Sequence, residues 1–157
     1  MIQKAAINQK SDWVRLNRAF ALEELTEEDD PRLKSKDLIQ HFSDAFDFLL
    51  NRSECQLLLW YEDSIAVGFV TIVTYPSAWS GGWTVYVDDL YVLPDYRRRG
   101  IATALLQEVD HYADEIGAKR IQLLVSPDNP AHTLYAKQGF AGVPLDFLLK
   151  YPLKDKS

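Results

Sequence analysis

The stretch VYVDDLYVLPDYRRRGIATALLQEV, residues Val85 to Val109, decides how this chain is read. Its first half is an apolar strand pattern, with Val85, Val87, Leu90 and Val92, that stops at Pro94. Arg97, Arg98 and Arg99 follow, then Gly100, Ile101 and Ala102, where an amphipathic helix begins. A strand, a basic turn with glycine and a helix start together make an anion site. The first amides of a helix lack intrahelical partners, and the macrodipole places about half a positive charge there. Gly100 lets backbone approach a ligand closely, and Ala102 keeps the first turn open. A pyrophosphate suits such a corner. The spacing Arg-x-x-Gly-x-Ala is neither a P-loop nor a dinucleotide glycine fingerprint, and both of those are absent.

Composition sets the outer bounds. With 157 residues, 47% hydrophobic and 25% charged, the chain reads as one globular domain with a real core. Cys55 is the single cysteine, so an internal disulfide and a cysteine-rich zinc site are excluded, and a small buried residue is the simplest reading. His41, His111 and His132 are scattered, which gives no support to a metal centre. The net charge of −6 speaks against nucleic acid and for cationic partners. No apolar run has membrane-spanning length and Met1–Lys10 carries no signal-peptide pattern, so the expectation is a cytoplasmic protein without a membrane partner.

Along the chain, Ile2–Ile7 reads as a first strand, and Ser11 or Asp12 as the cap of a helix running to about Ala21. Residues 23–30, EELTEEDD, form an acidic run that reads as a solvated helix end or a rim attracting a polycation. A second helix fits Asp37–Arg52. Cys55–Tyr61 and Ile65–Tyr75 predict an antiparallel hairpin, and Trp83–Val92 the next strand after a loop over Pro76–Gly82. A helix from about Gly100 to Ile116 and a strand over Arg120–Val125 complete a right-handed crossover between parallel strands. Asn129–Gln138 reads as a further helix, and Phe140–Val143 with Phe147–Tyr151 as a closing strand pair. The predicted fold is α/β: a mixed, mostly antiparallel sheet with one parallel pair and helices on both faces.

The basic corner, following a strand that ends Tyr-Val-Leu-Pro, resembles the acetyl-CoA loop of the GCN5-related N-acetyltransferases. A second stretch, Asn129-Pro-Ala-His-Thr-Leu-Tyr-Ala-Lys-Gln-Gly-Phe140, is similar to that family's other signature, in the right order and about 30 residues on. The element order matches too, so the resemblance covers essentially the whole chain. Within the family, the paired acids Asp88 and Asp89 after the aromatic, Gly-containing loop Tyr75–Trp83 look like the diamine and polyamine enzymes, which commonly have Glu where this chain has Asp88.

The resemblance implies a roster of roles. Acetyl-CoA is the donor and no metal takes part. Backbone amides of Arg99, Gly100, Ile101 and Ala102 would hold the pyrophosphate, with Arg97 and Arg98 adding charge and Thr103 a hydroxyl. The pantetheine arm would run along Leu90, Tyr91 and Val92 like an added strand, bonded by the amides of Leu90 and Val92, one of which also faces the thioester oxygen. That requires the strand to splay from its parallel neighbour. Asn129 would bond the pantetheine and Lys137 would reach the 3′-phosphate; each is equally read as a cap and a solvated lysine.

An alkylammonium has a pKa of about 10.4, so freeing the amine at neutral pH costs ~4 kcal/mol and calls for a base. Asp88 is the favoured base or water holder and Asp89 a cation ligand, facing opposite ways unless a bulge turns both. An ordinary Asp is too acidic for the task, so a raised pKa or a water relay is required. Tyr135 is the candidate acid for the leaving thiolate. Trp79, Trp83 and Tyr75 are candidates to line an acceptor pocket. The expected reaction is acetyl transfer to a primary amine of a small cationic acceptor, polyamine-like, aminoglycoside or amino-acid derivative. Its rivals are a protein or peptide N-acetyltransferase and a non-catalytic acyl-CoA sensor. Dimers are frequent in the family, so a homodimer is the expectation for partners.

Overall fold

Apolar, β-branched and aromatic runs give this chain its strands, and the computed structural model, which describes residues 1–24 and 37–152, arranges them in one sheet. The strands are β1 (Ile2–Lys4), β2 (Cys55–Glu62), β3 (Ile65–Ser77), β4 (Gly82–Val92) and β5 (Arg120–Leu123). Their spatial order is β1-β2-β3-β4-β5, with antiparallel pairing as far as β4 and a parallel β4–β5 pair. The helices are α1 (Lys10–Glu24), α2 (Leu38–Leu49), α3 (Ile101–Ile116) and α4 (His132–Lys137). This is the mixed, mostly antiparallel α/β architecture that the sequence predicts.

The two faces of the sheet bury different partners. Leu58, Val67, Val70, Ile72, Val85 and Val87 pack against Ile101, Leu105 and Val109 of the crossover helix α3. On the other face Leu57, Leu59, Phe69 and Tyr91 pack against Trp13, Leu16 and Phe46 of α1 and α2, where the Trp13 and Phe46 rings lie 5.5 Å apart. Asp37 caps α2 by accepting from the amides of Ile39 and Gln40.

Four local expectations are corrected. The first strand ends at Lys4, and a 3₁₀ turn over Ile7–Gln9 leads into α1. Gln9 Oε1 accepts from the Ala6 amide at 2.7 Å, so winding starts upstream of Ser11 and Asp12. Asp12 instead accepts from the Tyr61 hydroxyl at 2.8 Å. The helix expected from Asn129 shortens to His132–Lys137 because Asn129 and Pro130 form a turn before it. The closing pair over Phe140–Val143 and Phe147–Tyr151 does not form, and residues 141–150 are all exposed. Pro144 removes a ladder donor between the two runs. Of the acidic run only its first residues, Glu23 and Glu24, are described; residues 25–30 lie outside the described chain.

Gly68 fixes how closely β3, β4 and α3 approach. A Cβ there would stand 3.1 Å from the Tyr91 carbonyl oxygen, 3.3 Å from Val92 Cγ2 and 3.5 Å from Ile101 Cγ2. The carbonyl belongs to the sheet ladder and cannot yield cheaply. Gly68→Ala is therefore expected to destabilise the fold by about 1–3 kcal/mol, read as a lower urea midpoint at unchanged slope; an equal or higher midpoint would show that the sheet relaxes freely here.

Candidate active site

The site begins where β4 parts from its neighbour. β4 is paired with β3 along its whole length, from Gly82↔Ser77 to Val92↔Gly68. Its pairing with β5 covers only Thr84↔Arg120 to Val87↔Leu123. From Asp88 onward the outer edge of β4 has no strand beside it among the described residues. The Leu93 amide donates to Val67 O on the β3 side at 2.8 Å. Strand alternation then turns the amides of Leu90 and Val92 to the open edge. Tyr91 faces the other way: its ring is buried, its hydroxyl donates to Glu23 Oε2 at 2.7 Å, and its amide and carbonyl point to β3, so it offers no group to the open edge, contrary to the sequence expectation.

Beyond Pro94 the chain makes a 3₁₀ turn over Pro94–Tyr96 and then the basic corner. Arg98 and Gly100 both adopt left-handed backbone, with φ of +62° and +83°. Gly100 caps α3 in this conformation, whereas Arg98 carries a cost of about 1–2 kcal/mol for it. Among the described residues, no backbone carbonyl accepts from the amides of residues 98–103, and the first intrahelical bond is the one Ala104 donates to Gly100 O. Left-handed turns feeding a helix N-terminus give a concave row of free donors, the form of an anion cradle. Ile101 is buried in the core, so its contribution is its amide alone, while Ala102 and Thr103 remain partly accessible. The residues present thus fit the diphosphate of a coenzyme A donor, and the open edge of β4 fits an extended amide-bearing arm.

The three arginines divide their labour. Arg97 faces inward: Nε donates to Val92 O at 2.8 Å, and Nη2 pairs with Glu23 Oε1 at 2.6 Å. Burial pulls the Glu23 carboxyl up, but the Tyr91 and Arg97 hydrogen bonds and the Arg97 charge outweigh it and hold it below the ordinary range. The guanidinium of Arg97 is committed to tying α1 to the end of β4. Arg99 donates to Asp95 O at 3.0 Å and lies 5.1 Å from the Tyr96 ring. Arg98 is exposed. Glu23 escaped the sequence reading because it opens an acidic run that looks like solvated surface.

Asp88 and Asp89 sit on a β-bulge. Thr71 is opposite Asp89 and Ile72 opposite Val87, leaving Asp88 as the extra residue on β4. Asp89 therefore shares a face with Thr71, whose buried hydroxyl has no hydrogen-bond partner among the described residues. Neither aspartate makes a hydrogen bond or ion pair among those residues. Asp88 is open to solvent at its rim, yet the surrounding protein raises its carboxyl. Asp89 is pushed up to about 7, first by burial and then by the charge of Asp88. Tyr86 lies beside them, its phenol raised to about 12 by burial, then by Asp88, Asp89 and Tyr75. Tyr75 in turn accepts from Gln122 Nε2 of β5 at 2.7 Å. Trp79 is 93% exposed at the β3–β4 turn and Trp83 is 47% exposed. The turn lies roughly 20 Å along β4 from the bulge at about 3.3 Å per residue, so Trp79 stands away from the acids, while Tyr75, opposite Thr84, acts on Tyr86.

The second signature packs as one unit. Asn129 Oδ1 accepts from the Ala131 amide at 2.9 Å, the His132 ring bonds Ser126 O at 2.9 Å, and Tyr135 meets Phe140 edge-on at 5.9 Å. Asn129 thus shapes the turn into α4. Lys137 is exposed in the last turn of α4.

Known proteins agree with this geometry. The acetyltransferase (GNAT) family profile matches residues 18–140. An aminoglycoside N(6′)-acetyltransferase type 1 of Acinetobacter genomosp. 13 is 27% identical over 132 residues, 83% of each chain. A thialysine N-epsilon-acetyltransferase of Mus musculus is 34% identical over 64 residues, 41% of this chain and 37% of that one. The structure of AAC(6′)-Iy in complex with the bisubstrate analogue CoA-S-monomethyl-acetylneamine superposes with a TM-score of 0.79 at 16% identity, covering 98% of both chains. With a profile spanning most of its length and its strand, corner and helix in the matching order, the chain belongs to the acetyltransferase (GNAT) family.

Proposed function

We propose that this acetyltransferase moves an acetyl group from acetyl-CoA to a primary amine on a small cationic acceptor, by direct attack of the amine. The observation that carries the reading is the bulge at Asp88: two neighbouring carboxylates, without a cationic partner among the described residues, beside a strand edge left open for the donor. Their repulsion and burial are both relieved by a positive charge, which favours an amine over a neutral nucleophile. The names of the matched relatives, an aminoglycoside and a thialysine acetyltransferase, support acceptors of this class, with polyamine-like amines beside them.

Each residue then has a task. The amides of residues 98–103 and the Arg98 side chain hold the phosphates, and the amides of Leu90 and Val92 hold the arm and polarise the carbonyl it carries. Bound acetyl-CoA supplies the activated acetyl group. Arg97 positions the corner through Glu23 and Val92. Asp89 is the better base, reversing the sequence preference for Asp88. A carboxyl at about 7 narrows the gap to an alkylammonium from about 6.5 pH units to about 3.4, or from about 9 to about 5 kcal/mol. Asp88 then holds the second charge of the acceptor or a relaying water at the rim. Tyr135 donates its phenolic proton to the departing thiolate, and Lys137 stands at the outer end of the donor site.

Thiol release measured over a panel of amines tests the assignment. Asp89→Asn and Tyr135→Phe are each expected to lower kcat by about 10²-fold or more, with coenzyme A affinity by calorimetry nearly unchanged. Unaltered turnover in both would remove these roles, and coenzyme A binding without turnover on any amine would make the chain a sensor. The pH dependence follows from the raised Asp89. Activity should climb as pH rises through about 7, while stability moves the other way. The strain of ionising Asp89 is absent below its unfolded value near 3.9 and fully present above the folded value. Asp89→Asn should therefore stabilise the fold at pH 8, on the order of 2–4 kcal/mol, and far less at pH 4. Urea midpoints that shift equally at both pH values would contradict this.

A further inference from the structure

We propose that Thr71 positions Asp89 for proton removal, its hydroxyl holding one carboxylate oxygen so that the other is aimed at the acceptor amine; the inference rests on Asp89 being the base. Thr71 is 1% exposed, and its Oγ1 has no hydrogen-bond partner among the described residues. An unpaired buried hydroxyl costs stability that an isosteric valine would not forfeit. A threonine in the middle of a buried strand face therefore calls for a use outside the resting fold.

Its surroundings name that use. Along β3, Phe69 and Val73 flank Thr71 on the same face, and Leu57 of β2 stands opposite it on one side. On the other side stands Asp89 of β4. Asp89 is the one polar side chain among these neighbours, and it too lacks a hydrogen bond among the described residues. Directly opposed side chains of an antiparallel pair lie about 5 Å apart at Cβ. Rotation about side-chain bonds is then enough to join hydroxyl and carboxylate.

A hydroxyl suits a base better than an amide would. It donates to the ionised carboxylate and, by turning its hydrogen, accepts from the protonated one. The carboxyl keeps one partner through the whole proton cycle. Other groups on this side leave the task to Thr71. The charge of Asp88 opposes ionisation, and the Tyr86 phenol is itself raised by both acids. Tyr75 of β3 accepts from Gln122 of β5, and Arg120 of β5 reaches Ser77 at the hairpin end. Cys55 of β2 is buried, which pushes its thiol up. From above, α1 and α2 turn Trp13, Leu16 and Phe46 to this face, and the Glu23–Arg97 pair at Tyr91 is closed on itself.

Hydrogen bonding to the ionised form favours it, so deleting the donor raises the pH at which Asp89 becomes a base. Thr71→Val, with retained circular dichroism and unchanged coenzyme A affinity by calorimetry, is expected to move the rising limb of the kcat/KM profile up by about one pH unit. Relative to the parent, that is a loss of about tenfold at pH 6 and of less than about twofold at pH 9. Thr71→Ser keeps the hydroxyl and should restore the parent profile. Thr71→Cys, a weaker donor, should fall between the two and decides the matter should the valine variant not fold. In an Asp89→Asn background, Thr71→Val should have no further effect. An unmoved limb in Thr71→Val or Thr71→Cys, a loss equal at all pH values, or a serine variant shifted as far as the valine one would each overturn the inference. Full turnover in Asp89→Asn alone would instead remove the base assignment on which it rests.

Discussion

Everything at the working end of this protein follows from the parting of β4 and β5. Four residue pairs join the strands, Thr84↔Arg120 to Val87↔Leu123, and then β5 turns away while β4 runs on to Val92. A strand in mid-sheet normally spends both edges on its neighbours. Here one edge is held in reserve for its last residues, and the amides of Leu90 and Val92 are left facing outward. The bulge at Asp88 falls at the point of parting. Bulges bend a strand and sharpen its twist, so the extra residue both helps the strands diverge and places two carboxylates together on one stretch of β4.

The electrostatics divide along the same line. The positive end of α3 and a row of free amides lie on one side, with Arg98 exposed beside them, and in the proposed assignment they hold the donor's phosphates. Asp88 and Asp89 lie on the other, and in the same proposal they hold the acceptor's positive charge. Arg97 stands between the two and is neutralised internally by Glu23. Without that pairing its charge would lie close to the open edge of β4, where the Val92 carbonyl accepts from it. An arginine triplet that looks uniform in sequence is thus one internal tether, one partly engaged side chain on Tyr96, and one exposed cation.

Much of this was legible before any coordinates, for reasons that can be named. The continuous apolar run over Cys55–Tyr61, the long strand pattern over Ile65–Tyr75 and the helical period over Gly100–Ile116 report burial, and burial on both faces of β2 and β3 and on one face of α3 is what the structure delivers. Gly100 before an amphipathic run marked the corner. The bulge was beyond reach because it depends on how β3 and β4 settle into register, a contest between Thr71 and Ile72 for partners that no local pattern reveals. The unequal surroundings of Asp88 and Asp89 went with it, since burial and not residue type separates the two carboxyls. Glu23 was hidden for a similar reason: its partners, Tyr91 and Arg97, are far away in the chain. The closing strands do not form because Pro144 removes a ladder donor between the two runs, and alternation alone gives such a run no partner.

The Glu23 contact has a further consequence for how such a protein meets acid. Glu23 ties α1 to the end of β4 through Tyr91 and Arg97, and those bonds hold its carboxyl below the ordinary range. The stability that this tie contributes is present above the unfolded pKa of the carboxyl and is lost as pH falls through the folded one, so acidification releases α1 from the basic corner.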